Sequence, residues 1–261
     1  MNQLAEHNIK VICIIPAAGN SSRFKSGNKL NAFLEETEDV ISRTIKNIES
    51  IECIEKIFVG LNLIDIEIRN NLLKKKDLDK NKEKILSSKV KFYEGGESRQ
   101  NSIFNGLKQI KELQINDIDN VWVIIHDAAR PVILSNDILD FIKSVIKINK
   151  SSIMAVPIFD TIKKVDKKNN IIRTILRDEM WLAQTPQMFR FGILFESLKH
   201  CIENNIEVTD ESQALEILNH ECTVIKGKSY NIKITEDIDL IHARCLANIN
   251  NAFLENEESD D

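Results

Sequence analysis

Short runs of β-branched residues alternate along the chain with longer amphipathic stretches, and this alternation limits the possible folds more than any other feature. The apolar runs are VICII at 11–15, KIFVGL at 56–61, VKFY at 90–93, VWVII at 121–125 and IMAVPI at 153–158. Apolar residues repeat every three or four positions, as in helices, at 38–50, 62–76, 99–113 and 136–149. Apolar strands that alternate with helices predict a three-layer α/β fold, in which helices cover both faces of a mostly parallel sheet.

The pattern changes after residue 158. Residues 159–180 alternate with period two on either side of 167–170, which predicts a long β-hairpin that protrudes as an arm. A two-stranded hairpin is marginally stable alone, so we expect the arm to pack against another subunit.

The rest of the chain predicts more helices and a strand pair. Helices are expected at about 190–204, 209–220 and 236–253, and the strand pair around CTVIKG and YNIKIT. The acidic segment 255–261 has no apolar residue and is expected to be disordered. We therefore expect a single domain over 1–254 that includes the dimerisation arm at about 159–180.

Composition limits the partners of the chain. The 261 residues are 43% hydrophobic, which is enough to fill a core, and the formal net charge is −5. This charge argues against nucleic acid and anionic membrane partners. The first apolar run is too short for a signal peptide or a membrane span, so we expect a cytoplasmic protein. The five cysteines stand singly without zinc-ligand spacing and are interpreted as reduced packing residues.

The first predicted strand leads into PAAGNSSRFKSGNK at 16–29, a turn of small residues followed by Arg23, Lys25 and Lys29. Small side chains let backbone N–H groups approach a phosphate, and the cations can neutralise it. A tight strand-to-helix turn with solvent-facing basic residues explains this segment alone equally well. The turn is neither a Walker A loop nor a G-x-G-x-x-G fingerprint, which argues against a Rossmann-type oxidoreductase.

The strand at 121–125 ends in HDAARP, which places Asp127 and Arg130 at the carboxyl edge of the predicted sheet. Ligands of parallel α/β sheets bind at this edge. An Asp here can hold Mg²⁺, because this ion prefers one or two carboxylates together with substrate phosphates. The alternative is a structural cap paired with Arg130. His126 lies among apolar residues and is interpreted as a core histidine.

Seven short motifs follow one another in the chain and together resemble one enzyme family. They are PAAG with SSRF and a following Lys, EGGESRQNSIFNGL, HDAARP, the P-x-x-DT-x-K of 157–163, QTPQ-x-F, TDES and NIKIT. From Val11 to Leu246 the chain is similar to the 2-C-methyl-D-erythritol 4-phosphate cytidylyltransferases. The resemblance implies a Rossmann-like nucleotidyltransferase fold and a homodimer formed through the arm.

The resemblance also implies a reaction. The enzymes join CTP and 2-C-methyl-D-erythritol 4-phosphate to give 4-diphosphocytidyl-2-C-methyl-D-erythritol and pyrophosphate, in the non-mevalonate route to isoprenoid precursors, with Mg²⁺ as cofactor. A phosphate monoester is already a nucleophile near neutral pH, so positioning and charge neutralisation can carry catalysis. The chain accordingly offers cations and an Asp, without a Ser–His–Asp order.

The resemblance assigns residues to each substrate. The expected catalytic residues are Arg23, Lys29 and Lys233, of which the first two stabilise the α-phosphate in the transition state. CTP is expected to contact Ala17, Ala18, Gly19, Gly96, Glu97, Ser102, Asp127 and Ala128, with Asp127 also holding the metal. The residues expected to hold the second substrate or the triphosphate are Arg130, Thr161, Thr185 and Thr209, and Arg177 is expected to reach into the neighbouring subunit's active site.

The chain departs from the family pattern in three places. Extra residues follow Lys29, and Asn20–Ser22 replace the usual glycines, so Lys25 stays open as the catalytic lysine. Glu97 stands where the family often has Asp. The segment 62–89 is longer than usual and is expected to form a surface excursion.

Two other functions stay open. A cytidylyltransferase for ribitol 5-phosphate shares most of the motifs, although Arg177 and the TPQ and TDES motifs favour methylerythritol phosphate. A non-catalytic nucleotide-binding protein is the second alternative. Because the chain ends soon after the last predicted helix, we expect no fused cyclodiphosphate synthase.

Overall fold

The structure, a computed structural model, describes residues 11–19, 24–62 and 88–258. The helix predicted at 62–76 and most of the surface excursion predicted at 62–89 therefore lie outside the described residues. In chain order the strands are β1 (Val11–Pro16), β2 (Ile54–Leu61), β3 (Val90–Glu94), β4 (Trp122–Ile125), β5 (Ser152–Pro157), β6 (Ile162–Val165), β7 (Ile171–Ile175), β8 (Trp181–Arg190) and β9 (Thr223–Lys226).

Seven of these strands form one twisted sheet in the order β3-β2-β1-β4-β8-β5-β9. All neighbouring pairs are parallel except the two made by β8, which runs antiparallel to β4 and to β5. The predicted mostly parallel sheet is thus confirmed. The carboxyl ends of β1, β2, β3 and β4 meet at one edge, which is where the site lies.

The helices cover both faces of this sheet. They are α1 (Val40–Glu49), α2 (Arg99–Lys111), α3 (Ser135–Ile148), α4 (Phe191–Glu203), α5 (Glu211–Ile217) and α6 (Asp237–Glu258), with short 3₁₀ turns at Lys29–Asn31 and Ile118–Asn120. Helices α1, α3 and α6 pack on the face that carries Val11, Cys13 and Ile15, and α2, α4 and α5 on the face that carries Ile12 and Ile14. None of the described helices is long and apolar enough to cross a membrane.

The sequence did not predict β8, although it lies between two other strands. Its centre is Gln184-Thr185-Pro186-Gln187, and polar residues with a proline argue against a central strand. In the structure the three polar side chains are buried and hydrogen-bonded. Tertiary hydrogen bonds therefore compensate for a sequence that is unfavourable in a buried strand.

The predicted hairpin is present. β6 and β7 pair antiparallel, with Ile162 opposite Ile175, and form a separate two-stranded sheet. In the connecting turn, one carboxylate oxygen of Asp166 accepts hydrogen bonds from the backbone N–H groups of Lys168 and Asn170, at 2.8 and 2.9 Å. Within the single chain, large apolar side chains of this arm are exposed: Phe159, Val165, Ile171, Ile172 and Leu176.

The expected strand pair around CTVIKG and YNIKIT is wrong in its second member. β9 forms and pairs with β5, but residues 230–235 have no strand structure. The buried side chain of Asn231 donates to the Thr185 carbonyl at 2.8 Å, and the N–H of Ile234 donates to the Ala129 carbonyl at 2.8 Å. These contacts hold residues 230–235 across the end of the sheet, in a path that a regular strand would not follow.

Helix α6 runs to Glu258 and so includes residues 255–258 of the acidic segment. Glu is a good helix former, so an acidic composition does not prevent helical backbone. Residues 259–261 lie outside the described part of the chain.

Candidate active site

A pocket with a volume of about 180 Å³ opens at the edge where β1, β3 and β4 end. It lies where sheets of this type bind ligands. Ten of the residues that the sequence assigned to the site line this pocket: Ala17, Ala18, Gly19, Lys29, Gly96, Glu97, Ser102, Asp127, Ala128 and Lys233.

Small residues bring two backbone segments of the pocket close together. A Cβ atom on Gly95 would lie 2.4 Å from the Cβ of Ala18, so a larger residue does not fit between the turn after β1 and the turn after β3. The Ser102 hydroxyl accepts from the N–H of Gly96 at 2.9 Å and donates to the carbonyl of Ser98 at 2.8 Å. The Ser98 side chain in turn caps α2. The turn that carries Gly96 and Glu97 is therefore fixed to the first turn of α2.

Asp127 follows β4 at the floor of the pocket and is 6% exposed. Its carboxylate contacts Lys233 Nζ at 2.7 Å, Arg99 Nε at 3.0 Å and Arg130 Nε at 3.7 Å. Burial alone would raise the pKa of this carboxyl, but the charges of the three cations outweigh it and hold the pKa well below its usual range. Asp127 is therefore ionised at neutral pH. The contact between Asp127 and Arg130, which the interpretation of Asp127 as a structural cap requires, is also present.

His126 and Thr185 support Asp127 from below. The Thr185 hydroxyl accepts from the backbone N–H of Asp127 at 3.0 Å and lies 3.2 Å from His126 Nδ1, and His126 Nε2 lies 3.1 Å from the Arg130 carbonyl. Burial lowers the pKa of His126 to about 4, so the ring is neutral and can donate from one nitrogen and accept at the other. The interpretation of His126 as a core histidine is confirmed by its burial.

The two candidate lysines occupy different positions. Lys29 begins the 3₁₀ turn Lys29–Asn31, which Asn28 caps, and it lines the pocket. Lys25 is exposed, and its backbone N–H donates to the carboxylate of Asp237 at 3.1 Å. Arg23 lies outside the described residues.

The other predicted residues do not line this pocket. Arg130 lies beside Asp127 and donates to the Asn231 carbonyl at 2.6 Å, and Thr185 lies beneath it. Thr209 is exposed, and its hydroxyl donates to Gln213 at 3.1 Å. Thr161 and Arg177 are exposed and flank the base of the hairpin, just before β6 and just after β7.

The sequence missed an ion pair between Arg99 and Glu211. Arg99 lines the pocket, and Glu211, the first residue of α5, is 1% exposed. Although burial opposes it, the carboxylates of Glu211 and Asp127 raise the pKa of the Arg99 guanidinium, which keeps its charge. Both residues lie inside motifs that carry the family resemblance, EGGESRQ and TDES. The sequence signal for this ion pair was therefore a pair of opposite charges in two motifs of one site.

A magnesium site would need hard oxygen donors beside the pocket. The described residues contain no cluster of three or more His, Cys, Asp or Glu side chains that could hold a metal ion by themselves. Ionised Asp127 is a hard oxygen donor beside the pocket, and Mg²⁺ commonly takes one or two carboxylates and completes its shell with phosphate and water. The site therefore fits a magnesium ion that arrives with a nucleotide.

Comparisons with known proteins agree with this geometry. The sequence profile of 2-C-methyl-D-erythritol 4-phosphate cytidylyltransferase matches residues 11–248. The enzyme of that name from Acinetobacter baumannii ATCC 17978 is 33% identical over 239 residues, which is 91% of this chain and 94% of the relative. The Aliivibrio fischeri ES114 enzyme is 32% identical and covers 89% and 92%.

Solved structures show the same fold. The 4-diphosphocytidyl-2C-methyl-D-erythritol synthase of Anaerococcus prevotii superposes with a TM-score of 0.74 at 25% identity and covers 94% of this chain and 98% of its own. The Francisella tularensis 2-C-methyl-D-erythritol 4-phosphate cytidylyltransferase gives a TM-score of 0.71 at 30% identity, with 91% and 99% coverage. The chain belongs to the 2-C-methyl-D-erythritol 4-phosphate cytidylyltransferase family.

Proposed function

We propose that the chain transfers the cytidylyl group of CTP to 2-C-methyl-D-erythritol 4-phosphate at the pocket around Asp127 and releases pyrophosphate. This reaction belongs to the non-mevalonate route to isoprenoid precursors. The observation that carries the proposal is the arrangement of Lys233, Arg99 and Arg130 around one ionised carboxylate, beside a turn of small residues. Such a floor suits a polyphosphate better than a neutral ligand.

The acceptor phosphate attacks the α-phosphorus of CTP, and the bond to the β-phosphate bridging oxygen breaks. Backbone N–H groups of Ala18 and Gly19 hold the triphosphate, since the Ala17 N–H donates to the Gly60 carbonyl at 2.7 Å. Lys29 and Arg23 stabilise the charge that develops on the α-phosphate. Lys233 neutralises the phosphates from the floor of the pocket. These groups act by position and charge, so the protein need not supply a nucleophile.

Mg²⁺ is part of this proposal. Asp127 would hold the ion together with CTP oxygens, and the bound ion would neutralise phosphate charge. Asp127 oxygens now contact Lys233 and Arg99. If Lys233 turns from Oδ2 toward the phosphates, Oδ2 would be available to the ion, while Arg99 stays on Oδ1.

The remaining part of the proposal is a homodimer joined through the arm. The exposed apolar side chains of 159–182 need a cover, and contiguous exposed apolar surface commonly marks an interface. In this arrangement Arg177 reaches the partner's pocket and binds the phosphate of the acceptor, because a guanidinium can donate two hydrogen bonds to one phosphate. Thr161 and Thr209 contribute to the same acceptor subsite.

An acceptor assay tests the reaction. Pyrophosphate release should require CTP, Mg²⁺ and methylerythritol phosphate together, and it should be at background with CTP alone or when EDTA replaces Mg²⁺. Ribitol 5-phosphate at the same concentration serves as the matched acceptor. Equal or faster turnover with ribitol 5-phosphate would assign the chain to the alternative acceptor, and no turnover with either would support a non-catalytic nucleotide-binding protein.

A further inference from the structure

Glu211 is a charged side chain that is buried outside the lining of the pocket. Its residue is 1% exposed, and it begins the short helix α5. A buried carboxylate is costly unless it is paired and hydrogen-bonded. Among the residues that the structure describes, its side-chain partner is Arg99.

The pairing with Arg99 uses both oxygens of the carboxylate. Arg99 Nη1 donates to Glu211 Oε1, and Nη2 donates to Oε2 at 3.0 Å. A bidentate pair of this kind fixes the plane of the guanidinium as well as its position. The third donor, Nε, bonds Asp127 Oδ1 at 3.0 Å. Glu211 thus holds Arg99 in the orientation that binds Asp127.

The neighbouring contacts join the same two segments. Gln100, the second residue of α2, donates to the Ile206 carbonyl at 3.2 Å and accepts from the Val208 N–H at 3.3 Å. Asp210 accepts from the Gln187 side chain at 3.0 Å. Residues 206–211 are therefore attached to the start of α2 and to β8, and Thr209, which we assign to the acceptor subsite, lies within this segment.

We propose that Glu211 is a positioning residue for cytidylyl transfer. It acts through Arg99 to hold Asp127 at the floor of the pocket, and it joins this floor to residues 206–211, which carry Thr209 of the proposed acceptor subsite. The inference rests on the proposed function. Glu211 does not line the pocket, so it acts only through the groups it orients. Its loss should affect turnover with both substrates bound more than it affects CTP binding alone.

The first test is Glu211→Gln, which keeps the shape of the side chain and removes its charge. Replacing a residue that orients another functional side chain typically costs about 10- to 100-fold in activity, and we expect a kcat loss in this range. The dissociation constant of CTP, measured by calorimetry, should change less than kcat. Glu216→Gln, on an exposed position of the same helix, is the control and should keep the wild-type kcat.

A double-mutant cycle separates this role from a general loss of structure. If Glu211 acts through Arg99, the variant carrying both Glu211→Gln and Arg99→Gln should be no slower than Arg99→Gln alone. Independent roles would instead make the two losses multiply. A folded Glu211→Gln protein with wild-type kcat, or multiplied losses in the double variant, would overturn the inference.

Glu211→Asp keeps the proposal testable if the Gln variant does not fold. It retains the buried charge but withdraws the carboxylate by one methylene, so it cannot keep both bonds to Arg99 without a shift. We expect a smaller but measurable kcat loss, and an unchanged kcat would contradict the positioning role. An inactive wild-type protein would refute the proposed function itself, whereas an active wild type with an equally active Glu211 variant refutes only this inference.

Discussion

At the residue scale, Asp127 keeps three cationic side chains together at the floor of the pocket. Without this carboxylate the close approach of Arg99, Arg130 and Lys233 would be opposed by their mutual repulsion. The same arrangement keeps Asp127 ionised and places positive charge where a triphosphate would lie. Under the proposed function, the same atoms thus form an ion-pair network and the floor that binds phosphates.

The two lysines after the first turn provide the next prediction. Lys29 lines the pocket, whereas the backbone of Lys25 is bonded to Asp237 and its side chain is exposed. Removal of a charge that stabilises a transition state typically costs on the order of 10²–10³ in kcat, and we expect this loss for Lys29→Ala. Lys25→Ala is the matched control and should lose much less. Steady-state kinetics that show the larger kcat loss at Lys25 would reverse the assignment.

Sequence reasoning found individual residues of the site better than their pairings. Asp127 and Lys233 were assigned to the site from motifs, and the structure brings them within 2.7 Å. The pair of Arg99 and Glu211 was missed because the residues are 112 positions apart, and a charge pattern along the chain does not say which opposite charges meet. Thr185 was expected to hold substrate or triphosphate, yet its hydroxyl is directed at Asp127 and His126.

At the element scale, local patterns predicted the strands at 11–15, 56–61, 90–93 and 121–125 because these runs are mostly apolar. Such patterns missed β8 and wrongly predicted a strand at residues 230–235. β8 has a polar centre that tertiary hydrogen bonds satisfy, and Asn231 and Ile234 bond to distant backbone groups instead of a neighbouring strand. In both places long-range contacts decided the backbone conformation, and a local window does not contain them.

The arm carries the prediction at this scale. If Arg177 acts in the partner's pocket, mixing Arg177→Ala subunits with Lys29→Ala subunits creates hybrid dimers that have one intact site and one site without either residue. Activity should recover toward half of the wild-type specific activity per hybrid dimer. Subunit exchange is verified by native mass spectrometry, and each parent alone provides the baseline.

The opposite outcome of this experiment is equally clear. An Arg177 that serves its own subunit's site would leave every site of the hybrid lacking one residue. No recovery above the two parents after verified exchange would therefore show that Arg177 does not act across the interface. A protein that stays monomeric at assay concentration would contradict the dimer itself.

At the scale of the whole molecule, the alternation of apolar strands and amphipathic helices was sufficient to predict the three-layer α/β fold. The order of the strands was not predictable from this alternation, because it depends on where β8 inserts between β4 and β5. That insertion brings Thr185 beneath Asp127, and the segment after β9 then brings Lys233 over it. The fold thus assembles the lining of one pocket from five separate parts of the chain, and Thr185 supports it from a sixth.

The central claim is that the acceptor phosphate attacks the α-phosphorus of CTP. An experiment that follows the α- and γ-phosphorus atoms tests this claim most directly. With CTP labelled at the α-phosphate, incubation with methylerythritol phosphate and Mg²⁺ should move the label into a product that contains both cytidine and methylerythritol and resists alkaline phosphatase. Label at the γ-phosphate should leave as pyrophosphate. Transfer of the γ-label to the acceptor, or recovery of the α-label as CMP without a joined product, would contradict attack of the acceptor phosphate on the α-phosphorus.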